Sequence, residues 1–469
     1  MTLFLLMLFI FVLGYAAIAL EHPLHVNKAA TALLTGMSLW AIYALFATDI
    51  LHLGFSPTWA DYSAAGTHGE EAHKFQLHFL KHDLAHHLVE IAEILFFLLG
   101  AMTIVETVDR YQGFKIITDM IKTTKKVKLL WILSILTFFM SAALDNLTTT
   151  IVLVALIRKL IDDQKDRWFF ASMVVLAANA GGAWSPIGDV TTIMLWVKEF
   201  VTTGPIITTV FLPSLITMLV PLAIISFTVK GNITTPKSKD NEADITTKGE
   251  RIFLLVFGVS ALLFVPVFKM TTHLPPYIGM LLGLGAIWLV TEIILRRKKG
   301  ANQDKLSVIK ILEHVDVPTI FFFLGILLAV AALQSAGHLD LLAGWLDKTT
   351  GGNIYIIDLA IGVLSSIVDN VPLVAGAMGM YDVATPEMVL NDPSLAHFVQ
   401  DGAFWSFLAY CAGTGGSILI IGSAAGVAAM GMEKINFIWY FKKISWLAAI
   451  GYFAGAGAYV LQNMLFLHH

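Results

Sequence analysis

The chain of 469 residues is 57% hydrophobic and only 14% charged, with a mean hydropathy of +0.76. A soluble globular protein carries about a quarter charged residues, so the composition excludes an ordinary soluble domain and predicts an all-α integral membrane protein. The net charge of −4 offers no basic surface for nucleic acid, so no nucleic-acid partner is expected. The single cysteine, Cys411, excludes an intramolecular disulfide framework and a multi-cysteine metal site. No cofactor is expected.

Uninterrupted apolar stretches long enough to cross a bilayer, which takes about 20 residues per helix, occur along the whole chain. They are residues 1–20, 29–47, 88–107, 206–229, 252–270, 276–296, 317–336 and 444–464. The first is predicted to be a spanning helix rather than a secretory signal, because residues 2–20 contain no Lys or Arg and no small-residue cleavage site follows.

Other apolar stretches carry Asp, Asn, Gly or Pro near their middle, which a lipid-facing helix does not tolerate because its backbone groups need internal partners. They are residues 129–157, 168–196, 353–381 and 404–432. Most Lys and Arg lie in loops that are therefore predicted to be cytoplasmic: residues 21–28, 109–128, 158–167, 230–251, 296–316 and 433–443. Both chain ends are then extracytoplasmic. The first and third interrupted stretches become re-entrant hairpins that enter from the cytoplasm and from outside, respectively.

Short motifs recur in the same order in both halves of the chain. The matched pairs are Phe96–Gly100 with Phe322–Gly325, Ser141–Leu147 with Ser365–Val371, and Gly181-Gly182 plus Gly188 with Gly415-Gly416 plus Gly422. With the charge pattern, they predict an inverted repeat, the plan of secondary transporters whose site lies at the membrane midplane. Each half would contain three helices, a re-entrant hairpin, a broken helix and a final helix. The halves are residues 1–229 and 252–469, joined by a cytoplasmic linker at 230–251.

The centres of the two hairpins carry matched polar pairs, Asp145-Asn146 and Asp369-Asn370. An isolated carboxylate in hydrocarbon is costly, so such residues usually face a cavity and mark an ion path. The structural alternative is that they only cap the hairpin tip. Two pairs in matched positions favour an ion-binding or proton-handling function.

The broken helices add oxygen-bearing side chains around their glycines. The first runs from Asn179 through Ser185 to Asp189 and Thr191, and its counterpart carries Thr414 and Ser417. Carbonyl, hydroxyl and carboxylate oxygens are ligands of a hard cation. The alternative, that these glycines serve close helix packing, does not explain the polar residues beside them. The further hydroxyl candidates lie in the hairpins and are Ser141, Thr148 and Ser365.

The region before the third span is rich in histidine. Residues 48–87 are predicted to form an external loop, in which His78, His82 and His86 would share one face of a helix. This loop could be a pH-responsive element, a metal site or a solvated amphipathic segment, and the interspersed acidic residues favour the last. His86 and Glu93 are seven residues apart and share a helix face, so they form either a proton path or an interfacial pair.

These motifs resemble those of the NhaD-type sodium/proton antiporters of the ion transporter superfamily, over nearly the whole chain. The stretch Asn179-Ala-Gly-Gly-Ala-Trp-Ser-Pro-Ile-Gly-Asp189 is the most specific part. The resemblance implies export of Na⁺ or Li⁺ driven by inward H⁺ flow in a bacterial cytoplasmic membrane, with a homodimer as one expected assembly. The positions that would hold Na⁺ are Asp145, Asn146, Asn179, Asp369 and Asn370.

Two alternatives remain open at this point. Sodium/dicarboxylate carriers of the same superfamily have Ser-Asn-Thr at the hairpin tips, whereas the aspartates here add negative charge where a dianion would sit. Cation/proton exchange is thereby favoured over transport of carboxylates, while arsenite-like or other neutral solutes are not excluded. Paired intramembrane aspartates could also form a protease dyad, but Gly188-Asp189 lacks the further glycine of a Gly-x-Gly-Asp motif. The chain is therefore expected not to be an enzyme.

Overall fold

A computed structural model describes residues 1–19, 26–65, 72–119, 121, 123–234, 246–296, 306–367 and 369–466. Across these ranges the secondary structure is helical, and the extended backbone pairs only at an isolated antiparallel bridge between Lys125 and Asn232. The all-α prediction is confirmed.

The helices of the first half of the chain follow the predicted spans closely. They are α1 (Thr2–Ala19), α2 (Lys28–Leu45), α3 (Ala47–Leu51), α4 (Pro57–Ala65), α5 (Ala72–Arg110), α6 (Lys115–Asp119), α7 (Lys126–Leu144), α8 (Asn146–Leu160), α9 (Gln164–Ala183), α10 (Val190–Val197) and α11 (Thr203–Thr228). The hairpin predicted at 129–157 corresponds to α7 and α8, and the broken helix at 168–196 to α9 and α10.

The helices of the second half begin after the linker. They are α12 (Lys248–Thr272), α13 (Pro276–Arg296), α14 (Val308–Leu312), α15 (Val317–Ser335), α16 (His338–Thr350), α17 (Ile354–Leu364), α18 (Asn370–Met380), α19 (Pro386–Asn391), α20 (Ala403–Gly415), α21 (Ala424–Glu433), α22 (Phe437–Lys443) and α23 (Ser445–Phe466), with a 3-10 turn at Pro393–Phe398. The interruptions predicted at 353–381 and 404–432 fall between α17 and α18 and between α20 and α21.

Within the described ranges, seven helices are long and apolar enough to cross a membrane, or eight if α22 and α23, which meet at 51°, form one span. The chain is thus a multi-pass membrane protein. Helix α7, one arm of the predicted first hairpin, is one of these seven, because its 19 residues form about 28 Å of helix and could cross the membrane without α8. The re-entrant course of the hairpin therefore stays a prediction.

Most of the segment predicted as the external loop 48–87 is helical, since α3, α4 and the start of α5 occupy it. Its external position stays a prediction. Helix α5 has 39 residues, about 58 Å of helix, so it extends well beyond the span predicted at 88–107. His78, His82 and His86 lie on α5, as their spacing predicts. His68 lies outside the described residues.

The chain divides into two compact units, neither of which is a continuous half. The first unit contains Met1–Leu95, Asp316–Ile357 and Val371–Val399, and the second contains Phe96–Val315, Asp358–Asn370 and Gln400–His469. The predicted boundary at 230–251 concerns sequence repeats rather than compact units, and it stays a prediction. Residues 235–245 of that linker lie outside the described ranges.

The first unit is built on the contact between α2 and α15. A Cβ added to Gly325 would lie 2.5 Å from the carbonyl carbon of Ala32, and one added to Gly36 would lie 2.4 Å from the carbonyl oxygen of Gly325. Small residues let helix backbones approach closely in membrane proteins. The close approach lets Trp40 Nε1 donate to the Leu328 carbonyl at 2.9 Å.

Gly325→Ala should lower the thermal stability of the detergent-purified protein. The added methyl group meets backbone atoms that cannot move aside, and overpacking of this kind costs about 1–3 kcal/mol. Gly285→Ala on α13 is the matched control, because nothing lies within 4 Å of its added Cβ. Equal melting temperatures for the two variants would show that the α2–α15 contact is looser than described.

Candidate functional site

The junction between α7 and α8 is formed by Asp145, whose backbone has a positive φ of 74°. Its side chain caps α8: Oδ1 accepts from the Thr148 backbone N–H at 2.7 Å, and Oδ2 accepts from Thr148 Oγ1 at 2.8 Å. The capping alternative considered from the sequence is therefore realised at this tip. A carboxylate has about four acceptor positions, so capping leaves Asp145 able to accept further ligands.

The first broken helix stops at Ala183 and resumes at Val190, and Asp189 caps the new segment. Oδ1 of Asp189 accepts from the backbone N–H and the hydroxyl of Thr191, at 2.9 and 2.7 Å. The break is tightly closed, because a Cβ on Gly182 would lie 2.4 Å from the Gly188 carbonyl oxygen. The sequence therefore places a second carboxylate at a helix N-terminus, and this one is buried.

A buried amide network connects these elements to the second broken helix. Nδ2 of Asn146 donates to Asn179 Oδ1 at 3.1 Å and also to Asp189 Oδ2. Nδ2 of Asn179 donates to Ser417 Oγ and Ser423 Oγ, both at 2.9 Å. Each side-chain amide has two N–H donors, so these four hydrogen bonds use all the donors of Asn146 and Asn179. Asn179 thus joins the hairpin tip on one side to both ends of the break between α20 and α21 on the other.

The second hairpin repeats contacts of the first. Ser141 Oγ donates to the Ala178 carbonyl at 2.6 Å, and Ser365 Oγ donates to the Ala412 carbonyl at 3.0 Å. The glycine packing recurs too, since added Cβ atoms on Gly181 and Gly415 would meet the carbonyl oxygens of the equivalent residues Phe138 and Gly362.

The remaining predicted candidates differ in what they bind. Ser185 Oγ donates to the Ala142 carbonyl, and Thr414 Oγ1 donates to the Tyr410 carbonyl at 2.6 Å. Both hydroxyls therefore hold backbone rather than joining the amide network. Asn370 is buried at the start of α18, beside the half-buried Asp369.

Neighbouring carboxylates add like charge to the cost of burial at this site. Asp189 lies within electrostatic range of Asp145 and of Asp369. The hydrogen-bond donors of Asp145 and Asp189 are backbone N–H, hydroxyl and amide groups, which are all neutral. Across the described residues, no three His, Cys, Asp or Glu side chains converge closely enough to hold a metal ion. The three aspartates are therefore neighbours in this conformation, and they do not form a closed cage.

A cavity reaches the hairpin tip at Asp145. The other side chains that line it are apolar: Phe97, Leu98, Ala101, Met102, Val105, Ala143, Leu144, Ile187, Ile193, Leu262 and Met280. Asp145 is thus the one ionisable group in its lining.

His86 and Glu93 lie on the part of α5 that belongs to the first unit, where His86 Nε2 lies 3.5 Å from Glu90 Oε1. Their proton-path role stays a prediction.

Ser423, which was not among the candidates, caps α21 by accepting from the Gly426 backbone N–H at 3.1 Å. It is the repeat equivalent of Asp189, so the alignment of the halves could have identified it.

Comparison with known proteins identifies the family. A model of the citrate transporter family matches residues 6–399. Sodium/proton antiporter 1 of Arabidopsis thaliana is 46% identical over 463 residues, which are 98% of this chain and 72% of that protein. The NhaD Na⁺/H⁺ antiporter of Vibrio cholerae is 30% identical over 488 residues, covering 97% of this chain and 91% of that protein.

The chain belongs to the citrate transporter family and, within it, to the NhaD-type sodium/proton antiporters. The resemblance predicted from the motifs is confirmed. Sodium/proton antiporter 2 of Arabidopsis thaliana, at 43% identity over 97% of this chain and 98% of that protein, extends the match to a relative of similar length. Since these relatives are transporters, the NhaD-type chain is a transporter rather than an enzyme.

Asn179→Ala should destabilise this NhaD-type protein more than Ser423→Ala does. The first change removes the common partner of Asn146, Ser417 and Ser423, and each buried polar group left unsatisfied costs about 1–3 kcal/mol. The measurement is thermal unfolding in detergent without added cation. Ser406→Ala on α20 is the control, because its hydroxyl is buried and has no partner in the described part of the chain. A loss for Asn179→Ala no larger than the control would contradict the network.

Proposed function

We propose that this protein exchanges cytoplasmic Na⁺ or Li⁺ for external H⁺ through a site built on Asp145, Asn146, Asn179 and Asp189, with Asp369-Asn370 at the second hairpin. The observation that carries the proposal is the amide network, which gathers carboxylate, amide and hydroxyl oxygens from both helix breaks and from the first hairpin tip. The printed names of the bacterial and plant relatives, sodium/proton antiporters, agree with it.

Exchange follows from competition for the same carboxylates. Oxygen ligands suit a small hard cation, and a carboxylate accepts either that cation or a proton. Either ligand removes part of the repulsion that Asp189 experiences from Asp145 and Asp369. If the site holds either the cation or the proton and is rarely empty, movement of the cation in one direction is coupled to movement of the proton in the other.

The same charges argue against citrate, despite the name of the family model. A carboxylate anion at this site would be placed among Asp145, Asp189 and Asp369, and like charges at short range cost several kcal/mol. The donors available to hold an anion, the Asn146 and Asn179 amides, are already used within the network. Cation/proton exchange is therefore the function that the site supports best.

We further propose the inverted arrangement of the two halves, with both chain ends extracytoplasmic. Ser141 and Ser365 make equivalent contacts in their own halves, and so do Gly181 and Gly415. This equivalence supports a repeat. The distribution of Lys and Arg supports the opposite orientations. The relatives come from bacteria and from Arabidopsis thaliana, so a bacterial cytoplasmic membrane is one of the locations that fit. A homodimer stays a prediction.

Asp145→Ala and Asp369→Ala should each reduce Na⁺-dependent proton movement in proteoliposomes at least about tenfold. Each change removes a carboxylate, and a contact worth about 1.4 kcal/mol already changes an equilibrium tenfold. Asp162→Ala is the matched control, because this aspartate is exposed between α8 and α9. Near wild-type exchange by either site variant, at normal insertion, would remove that residue from the mechanism.

The apparent Na⁺ affinity should fall as pH falls, because protonation and Na⁺ binding at shared carboxylates weaken each other reciprocally. The histidine-rich segment is a rival source of this dependence. The test replaces His68, His73, His78 and His82 with Gln and measures affinity against pH. Tyr62→Phe is the control, because it removes the 2.6 Å contact with His78 Nδ1 and leaves the imidazoles intact. A flattened affinity curve in the histidine variant, with the aspartates unchanged, would defeat the shared-site account.

A further inference from the structure

An additional carboxyl lies in the second hairpin, away from the described network. Asp358 is on α17, its side chain is completely buried, and neither carboxyl oxygen has a hydrogen-bond partner among the residues that the structure describes. Buried polar groups are nearly always paired, and each exception calls for an explanation. The proposed exchange site, with Asp145, Asp189 and Asp369, does not use Asp358.

The repeat shows that packing does not require a carboxyl here. The offset that pairs Ser141 with Ser365 pairs Ser134 with Asp358. Ser134 on α7 is also buried, and its hydroxyl is also without a described partner. A small hydroxyl therefore fills the equivalent place in the first half. The second half carries an ionisable group at this place, so the two halves differ here in chemistry.

The surroundings of Asp358 come from α20 and α23. The titratable groups that these helices bring within electrostatic range are Cys411 and Tyr452. Tyr452 Oη donates to the Leu359 carbonyl at 3.1 Å, and an added Cβ on Gly362 would lie 2.2 Å from that same hydroxyl oxygen. Asp358 thus lies beside a closely packed contact between α17 and α23, and the described residues offer it no basic partner.

These surroundings select the ligand. A hard cation needs several oxygen ligands, and the two titratable groups near Asp358 supply one hydroxyl and one sulfur. An isolated ionised carboxylate buried without a partner is very costly, and in practice the group takes up a proton instead. The ligand that fits Asp358 in this conformation is therefore H⁺.

We propose that Asp358 is a second proton-binding carboxyl, which holds a proton in the conformation described here and releases it when α17 and α20 separate during the transport cycle. This proposal rests on the proposed exchange function. Because Na⁺ does not compete for this position, its proton adds to those exchanged at the shared site. The number of H⁺ moved per Na⁺ then exceeds by one the number that the shared site alone provides.

The first measurement is infrared spectroscopy of the wild-type protein and of Asp358→Asn in detergent. The wild type should show the carbonyl stretch of a protonated carboxylic acid that is missing from the variant, at a pH where exposed carboxyls are ionised. Ser134→Ala should keep the band. If wild-type and variant spectra are the same in this region, Asp358 is ionised and the proposal is overturned. This readout does not depend on transport.

The second measurement is the coupling ratio, obtained in proteoliposomes from the Na⁺ gradient that just balances a set proton gradient and membrane potential. Asp358→Asn and Asp358→Ser, the latter copying the first half, should each move one H⁺ fewer per Na⁺ than wild type and Ser134→Ala. The same ratio in all four proteins overturns the proposal. If the variants fold without transporting, the infrared comparison still decides. If the wild type moves no H⁺ in response to Na⁺, the proposed exchange function fails instead.

Discussion

Helix breaks inside an apolar protein leave backbone N–H groups that water does not reach, and here acidic and hydroxyl side chains satisfy them. Asp145 caps α8, Asp189 caps α10 and Ser423 caps α21. The first turn of a helix carries unpaired N–H groups and a partial positive charge, so it offsets part of the cost of burying these carboxylates. The contacts that hold the broken helices in place therefore also position the carboxylates of the proposed site.

Asn179 connects the first hairpin tip to the second broken helix. Its amide oxygen accepts from Asn146 at the tip, and its amide nitrogen donates to Ser417 and Ser423 at the two ends of the break between α20 and α21. A change in the protonation or occupancy of Asp189 alters what Asn146 donates to, and Asn179 is the next group in the chain of hydrogen bonds. The network thus gives the two halves a physical connection at the site, which rigid helices alone would not provide.

The sequence contained most of this arrangement but not all of it. The four interrupted helices could be predicted because Asp, Asn and Gly are costly in an apolar helix, as at Asp145 and Gly182. The start of α5 could not be predicted in this way, because its His and Lys residues are as typical of a solvated loop as of a helix that extends beyond the membrane. Ser423 was missed because a lone serine has no composition signal, and its role depends on meeting Asn179 in three dimensions.

The buried carboxylates Glu433, Asp189 and Asp358 differ in their partners. Glu433, at the end of α21, is buried between Arg158 and Arg167, whose guanidinium groups each bind one of its oxygens. A buried carboxylate paired in this way fixes the positions of the helices it joins. Asp189 is held by neutral donors, and Asp358 has no described partner at all. A permanent ion pair would lock these positions. Asp189 and Asp358 have no basic partner among the described residues, as the proposed binding and release of a proton or a small cation requires.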